Sequence, residues 1–152
     1  GVMFLCIGTD RSTGDSLGPL VGHKLRGRRL KGAAVIGTLD KPVHAMNLDL
    51  YARYIRLHYP DYVIVAIDAS VGSPDHVGYA TLGRGALQPG LGVSKNLEAV
   101  GDISITGIVG GAGSRDPVML QSVRLSIVMK MADCICEGIC LVERLWDNAA
   151  II

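Results

Sequence analysis

The stretch from Met3 to Pro19 restricts the fold of this chain more than any other. Met3-Phe4-Leu5-Cys6-Ile7 is a short apolar run of the kind that forms a buried parallel strand. Gly8 and Gly14 bracket a polar loop that can turn sharply, because glycine tolerates positive φ. Gly18-Pro19 then fits a helix start, with proline in the first turn. A strand, a loop and a helix in that order put the loop at the carboxyl end of the strand, where open α/β sheets place their ligands. The loop carries two acids, Asp10 and Asp15.

The rest of the chain repeats the alternation. Leu17, Leu20, Val21 and Leu25 make a helical stripe ending near Gly27, and Ala33 to Leu39 reads as a second strand. Leu48, Tyr51, Ala52, Ile55 and Tyr59 recur at helical spacing until Pro60 stops them. Tyr62 to Ile67 is the clearest strand, apolar and β-branched throughout, and it ends at Asp68. Gly78 to Leu82 reads as a shorter strand, and Leu87 to Asp102 as a long glycine-rich loop. Ile103 to Val109 is the last strand. Asp116 and Pro117 open one final helix whose apolar face runs from Leu120 to Val142. Strands alternating with helices over 152 residues, without repeat or linker, give one domain. The expected fold is a three-layer α/β/α sandwich with a mostly parallel or mixed sheet.

Charge and cysteine usage narrow the functional classes. The formal net charge is +1, which offers no argument for nucleic acid. The cluster Arg26, Arg28, Arg29 and Lys31 reads as a solvated helix end. No signal peptide and no membrane-spanning run is found, so the expected setting is cytoplasmic and reducing, without a membrane partner. Cys6, Cys134, Cys136 and Cys140 then read as structural thiols, since Cys-x-Cys-x₃-Cys is not a zinc spacing. An oligomer is compatible with this composition.

Three chemistries compete for the first loop. A phosphate loop fails, because five residues separate Gly8 from Gly14 and Asp15 stands where lysine should be. A dinucleotide fingerprint is absent. Gly14-Asp15-Ser16-Leu17 spells the nucleophile motif of the GDSL esterases, but the histidines are His23, His44, His58 and His76, and none follows in the last half of the chain. The third reading uses the acids. Asp15 and Asp68 both follow strands on the ligand side of the sheet. Together they could share a proton, or hold a divalent cation that polarises a carbonyl, and so hydrolyse an amide. Alternatively Asp15 satisfies loop amides and Asp68 caps a turn. The spacing alone allows both.

Thr13-Gly14-Asp15-Ser16-Leu17-Gly18-Pro19 resembles the Thr-Pro-Asp-Ala-Leu-Gly-Pro motif of the germination protease of spore-forming bacteria. Val65-Ala66-Ile67-Asp68-Ala69 is similar to that enzyme's second aspartate strand, and Pro89-Gly90-Leu91-Gly92-Val93 to its Pro-Gly-Ser-Gly-Val segment. A weaker likeness reaches the hydrogenase maturation endopeptidases. Over nearly its whole length the chain resembles the YyaC-type sporulation family, through the segments Gly37 to Ala45 and Val100 to Val109.

The resemblance implies a phosphorylase/hydrolase-like fold and a peptidase acting on protein or peptide in the sporulating cell or forespore. Asp15 and Asp68 would be its catalytic or metal-binding pair. From its place in the loop, Asp10 is expected to order the loop or line the site toward substrate. The maturation endopeptidases add a histidine ligand in the region held here by Pro89 to Asn96, which has none. His76 is the nearest candidate for that metal role, and Lys95 could supply a positive charge toward substrate. The competing expectation is a non-catalytic relative that binds a partner in the same cleft.

Overall fold

The computed structural model describes residues 1–28, 30–89, 97–111 and 117–149. Five strands, β1 (Val2–Cys6), β2 (Ala33–Ile36), β3 (Val63–Gly72), β4 (Ala80–Arg84) and β5 (Ile103–Gly111), form one sheet in the order β2-β1-β3-β5-β4. β2, β1, β3 and β5 run parallel, and β4 joins the edge antiparallel to β5. The expected α/β fold is present, with a mixed sheet. The antiparallel edge arises because β4 leads into β5 as a hairpin arm, extended by the Leu87–Val100 bridge. A hairpin needs no crossover helix.

Side-chain alternation divides the core into two layers. Phe4 and Cys6 of β1 and Val65, Ile67 and Ala69 of β3 point to one face. There they meet Leu17, Val21 and Leu25 of α1 (Leu17–Arg28) and Val128, Met131, Ala132 and Ile135 of α4 (Leu125–Ala149). Met3, Leu5 and Ala66 point to the other face, under Leu48, Ala52 and Ile55 of α2 (Leu48–His58). Helices therefore cover both faces of the central strands, whose apolar character is continuous for that reason.

Two elements depart from expectation. The last helix is two: α3 (Pro117–Ser122) is separated from α4 at Val123 and Arg124, and Arg124 O accepts from Ile127 N to begin the new helix. Val123 packs on the core, so the bend keeps apolar contact while α3 turns toward the first loop. The other departure is β3, which runs ten residues and passes through Asp68 instead of ending there. Asp116 lies outside the described residues.

Close approach explains two glycines. Gly22 sits inside α1, where alanine would favour the helix by about 1 kcal/mol. A Cβ there would stand 1.8 Å from the Gly37 carbonyl oxygen, a backbone atom. A Cβ at Gly107 of β5 would instead meet the ends of Leu17 and Met131, 2.2 and 2.7 Å away, which can turn aside. Gly22→Ala is therefore expected to destabilise by about 3 kcal/mol and Gly107→Ala by about 1–2 kcal/mol. Urea midpoints check the order, and equal midpoints for the two variants would contradict it.

The remaining motifs are structural. Asp102 Oδ2 accepts from Ile64 N at 2.8 Å while its own N–H donates to Ile64 O at 2.7 Å, clamping β5 to the start of β3. Arg28 at the end of α1 reaches Cys140 Sγ at 3.6 Å, and Lys24 pairs with Asp133 at 2.8 Å, tying α1 to α4. All four cysteines are free. Cys6 and Cys136 are buried, and burial pushes both thiols up, Cys136 to about 11, so they are poor nucleophiles. Cys134 is exposed. No helix among the described residues is long and apolar enough to cross a membrane.

Candidate active site

β1 ends where its neighbours hold it on both sides. Ile7 N donates to Ile67 O at 2.7 Å, and Gly8 N donates to Val43 O at 2.8 Å. Gly8, at φ +140°, then turns the chain out of the sheet. The loop closes on itself when Thr9 N donates to Asp15 O at 3.0 Å. A single 3₁₀ turn, Gly14–Ser16, places Asp15 directly before α1. Gly14 packs on Leu120, so α3 braces the turn from above.

Asp68 arrives from β3. Its pairing with β1 stops one residue earlier, at Cys6–Ile67, while pairing with β5 continues through Thr106 and beyond. Asp68 therefore stands at the carboxyl edge of β1 and remains inside a strand, which positions it more rigidly than a loop would. It is 5% exposed. Oδ1 accepts from Ala69 N at 2.8 Å.

The electrostatics join the two acids. Burial pushes the Asp68 carboxyl well above the usual carboxylate range, the Asp15 charge adds to that rise, and the Ala69 N–H opposes it. Burial pushes Asp15 up from 3.8 to about 6. The pair is thus split: burial and the Asp15 charge make Asp68 hold its proton more tightly, and Asp15 is the readier of the two to ionise, the order expected of an acid–base pair.

The shift at Asp15 has a consequence for stability. Between pH 4 and pH 6 the folded protein keeps a proton on Asp15 that the unfolded chain has lost. The stability this proton contributes is complete below about pH 4 and is lost as pH rises to about 6, by roughly 2 kcal/mol once partial exposure is allowed for. Asp15→Asn removes that slope. Thermal midpoints of the two proteins are expected to converge below pH 4 and to differ by a constant amount above pH 7, the variant being the more stable. A difference that stays constant from pH 4 to 6 would contradict the shift.

The other candidates fall elsewhere. Asp10 is exposed at the tip of the loop. His76 is exposed after β3 and its ring packs on Tyr79, with centroids 5.6 Å apart. Among the described residues no three His, Cys, Asp or Glu side chains gather as a metal site, so His76 does not join the aspartates. Lys95 lies outside the described residues. Ser16 of the esterase-like motif is 6% exposed and donates to Thr13 O at 2.6 Å, which leaves its hydroxyl engaged. Ser12 Oγ, two residues after Asp10, is enclosed without a hydrogen-bond partner among the described residues. No pattern in the sequence marks it, because only the folded loop encloses it.

Two carboxylates are hard oxygen donors, the kind that hold Mg²⁺ or Ca²⁺ beside water. Asp15 and Asp68 fit that chemistry, and such an ion would supply carbonyl polarisation. All four histidines are among the described residues, and none gathers with the two aspartates into a group of three ligands.

The chain is similar to known proteins in sequence and in fold. Residues 1–138 match the family "Protein of unknown function (DUF1256)". The chain is 46% identical over 143 residues to a Bacillus subtilis (strain 168) protein named "Uncharacterized protein YyaC", covering 94% of this chain and 70% of that protein. Its fold is similar to the crystal structure of a [NiFe] hydrogenase maturation protease, HycI, from Thermococcus kodakarensis KOD1. That match has a TM-score of 0.63 and 18% sequence identity, and it covers 94% of this chain and 92% of the other.

Proposed function

The chain belongs to the DUF1256 family, and we propose that it is a peptidase in which Asp15 and Asp68 act together on one amide bond. The observation that carries this reading is the electrostatic coupling of two shifted carboxyls at the carboxyl edge of the sheet. The protease-like fold supports it, as does the likeness of the Asp15 and Asp68 segments to those of the germination protease.

In this mechanism Asp15 accepts a proton from water as the water oxygen attacks the carbonyl carbon. Asp68 gives its proton to the leaving nitrogen as the C–N bond breaks. The products are a carboxylic acid and an amine, and the proton on Asp15 returns to Asp68, directly or through solvent. Ala69 N–H holds the Asp68 carboxyl in one orientation throughout. A divalent cation, if bound by the two aspartates, would polarise the carbonyl. The proposed setting is the cytoplasm of the sporulating cell or forespore, and it rests on the sequence resemblance.

The test is incubation with a library of unstructured peptides, with and without EDTA, read by mass spectrometry as new termini. Wild type is expected to cleave, and Asp15→Asn and Asp68→Asn are expected not to. Cleavage that persists in both variants would overturn the aspartate pair. Peptide binding without cleavage by wild type would favour a binding protein on the same fold.

A further inference from the structure

Only half of one sheet face is covered by α2. Among the described residues the core on that side takes β1, β2 and β3, together with Leu87, Leu97 and Val100 from the connection between β4 and β5, and none from β5 or β4 themselves. On the opposite face Ile103 and Ile105 of β5 pack into the core, so Ser104 and Thr106, both half-buried, alternate onto the half beyond α2. Register fixes what stands there. Asp68 pairs with Thr106, and Thr106 pairs with Thr81. Ser104 pairs with Gly83 in the next row.

Asp68, Thr106 and Thr81 thus form one row that starts at the candidate active site and crosses to the sheet edge. Asp68 alternates with Ala66, a residue of the α2-side core, which puts it on this same face. Thr81 Oγ1 and Thr106 Oγ1 are 2.6 Å apart at the surface, which confirms that both point this way. Ser104, Gly83 and Ser70, also on this face, are small. Along the row the described residues are Asp68, Thr106 and Thr81, of which Thr81 is exposed and Thr106 half-buried.

We propose that this hydroxyl shelf is the substrate subsite of the peptidase reading, seating an extended polypeptide segment on one side of the scissile bond. The inference rests on that reading. Extended main chain presents alternating N–H and C=O groups, and hydroxyls can both donate to and accept from them. Small side chains let a backbone lie close to the sheet. Strands are about 4.8 Å apart and an extended chain advances about 3.3 Å per residue, so the row from Asp68 to Thr81 spans roughly three substrate residues. Among the described residues of the shelf Asp68 is the one ionisable group, so the shelf discriminates by shape and extension. A folded segment cannot lie flat along it.

A hydrogen-bonded threonine pair can also serve the sheet itself, and the test separates the two roles. Thr81→Val and Thr106→Val keep shape and β preference but remove the hydroxyls. With a mixture of labelled, unstructured decapeptides as probe, the double variant is expected to raise KM about tenfold, with kcat within threefold and an unchanged thermal midpoint. Binding of the same peptides, measured by fluorescence anisotropy, is expected to weaken by the same factor. Should wild type bind without cleaving, loss of binding in the double variant still supports the shelf while hydrolysis fails. Unchanged KM and binding, a fall in kcat alone, or no peptide binding by wild type would overturn the shelf.

Discussion

Asp68→Asn is expected to lower kcat/KM for peptide cleavage by roughly 10³-fold while leaving the protein at least as stable at neutral pH. Asparagine has the shape of aspartate, and its amide oxygen can still accept the Ala69 N–H that Oδ1 accepts now. The strand therefore has no reason to move. What disappears is the proton that the proposed mechanism has Asp68 give to the leaving nitrogen. Burial disfavours the charged carboxylate, and the Asp15 charge disfavours it further, so a neutral amide relieves a cost that the native site carries. Lost activity with retained or raised stability is the signature of a functional group placed at the expense of stability. Initial rates on the best-cleaved peptide, beside urea midpoints, check both halves. A variant that keeps a tenth of the wild-type rate would remove Asp68 from the mechanism. One that loses several kcal/mol would make it a structural residue.

Gly8→Ala is expected to damage both fold and site. Gly8 has φ +140°, a conformation that side chains rarely adopt. A Cβ there would lie 2.0 Å from the Asp15 carbonyl oxygen and 3.0 Å from Pro19 Cδ. The Asp15 carbonyl is the acceptor that closes the loop through Thr9 N, so it cannot retreat without opening the turn that aims Asp15. Strain and overlap each cost about 1–3 kcal/mol, and the sum is about 3 kcal/mol or more. Displacing Asp15 by about 1 Å costs a further 10²-fold or so in rate. Urea unfolding and peptide cleavage on the folded fraction measure the two effects. A variant with wild-type stability and rate would contradict the account of the loop.

The first forty residues were the most legible part of the chain. The apolar run at Met3–Ile7, the bracketing glycines and Pro19 are local signals, and strand, loop and helix appear within a residue or two of where those signals put them. β3 was legible as a strand but not in length. An acid after an apolar run reads as the surface, yet β3 continues because β5 pairs with it past Asp68. Pairing between residues 38 apart, such as Asp68 and Thr106, leaves no mark in either segment alone. The antiparallel β4 follows the same rule, since its direction is set by the hairpin with β5. The division between α3 and α4 was hidden because Leu120, Ile127 and Val128 keep a helical spacing across it.

For the site, residue type pointed to Asp15 and Asp68, because a carboxyl at a strand end on the ligand side is chemically conspicuous. Their coupling was not legible, since it depends on burial and on charge across space. Thr81 and Thr106 carry no signal at all until register sets them beside Asp68.

The proposed mechanism requires Asp15 and Asp68 to form one interacting pair. Carboxyl ¹³C NMR titration of the protein in EDTA reads it directly, with Asp15→Asn as the comparison. The account predicts that Asp15 titrates near pH 6, that Asp68 titrates well above the ordinary carboxylate range, and that the Asp68 midpoint falls when Asp15 is neutralised. Two carboxyls titrating near pH 4, or an Asp68 midpoint indifferent to Asp15→Asn, would contradict it.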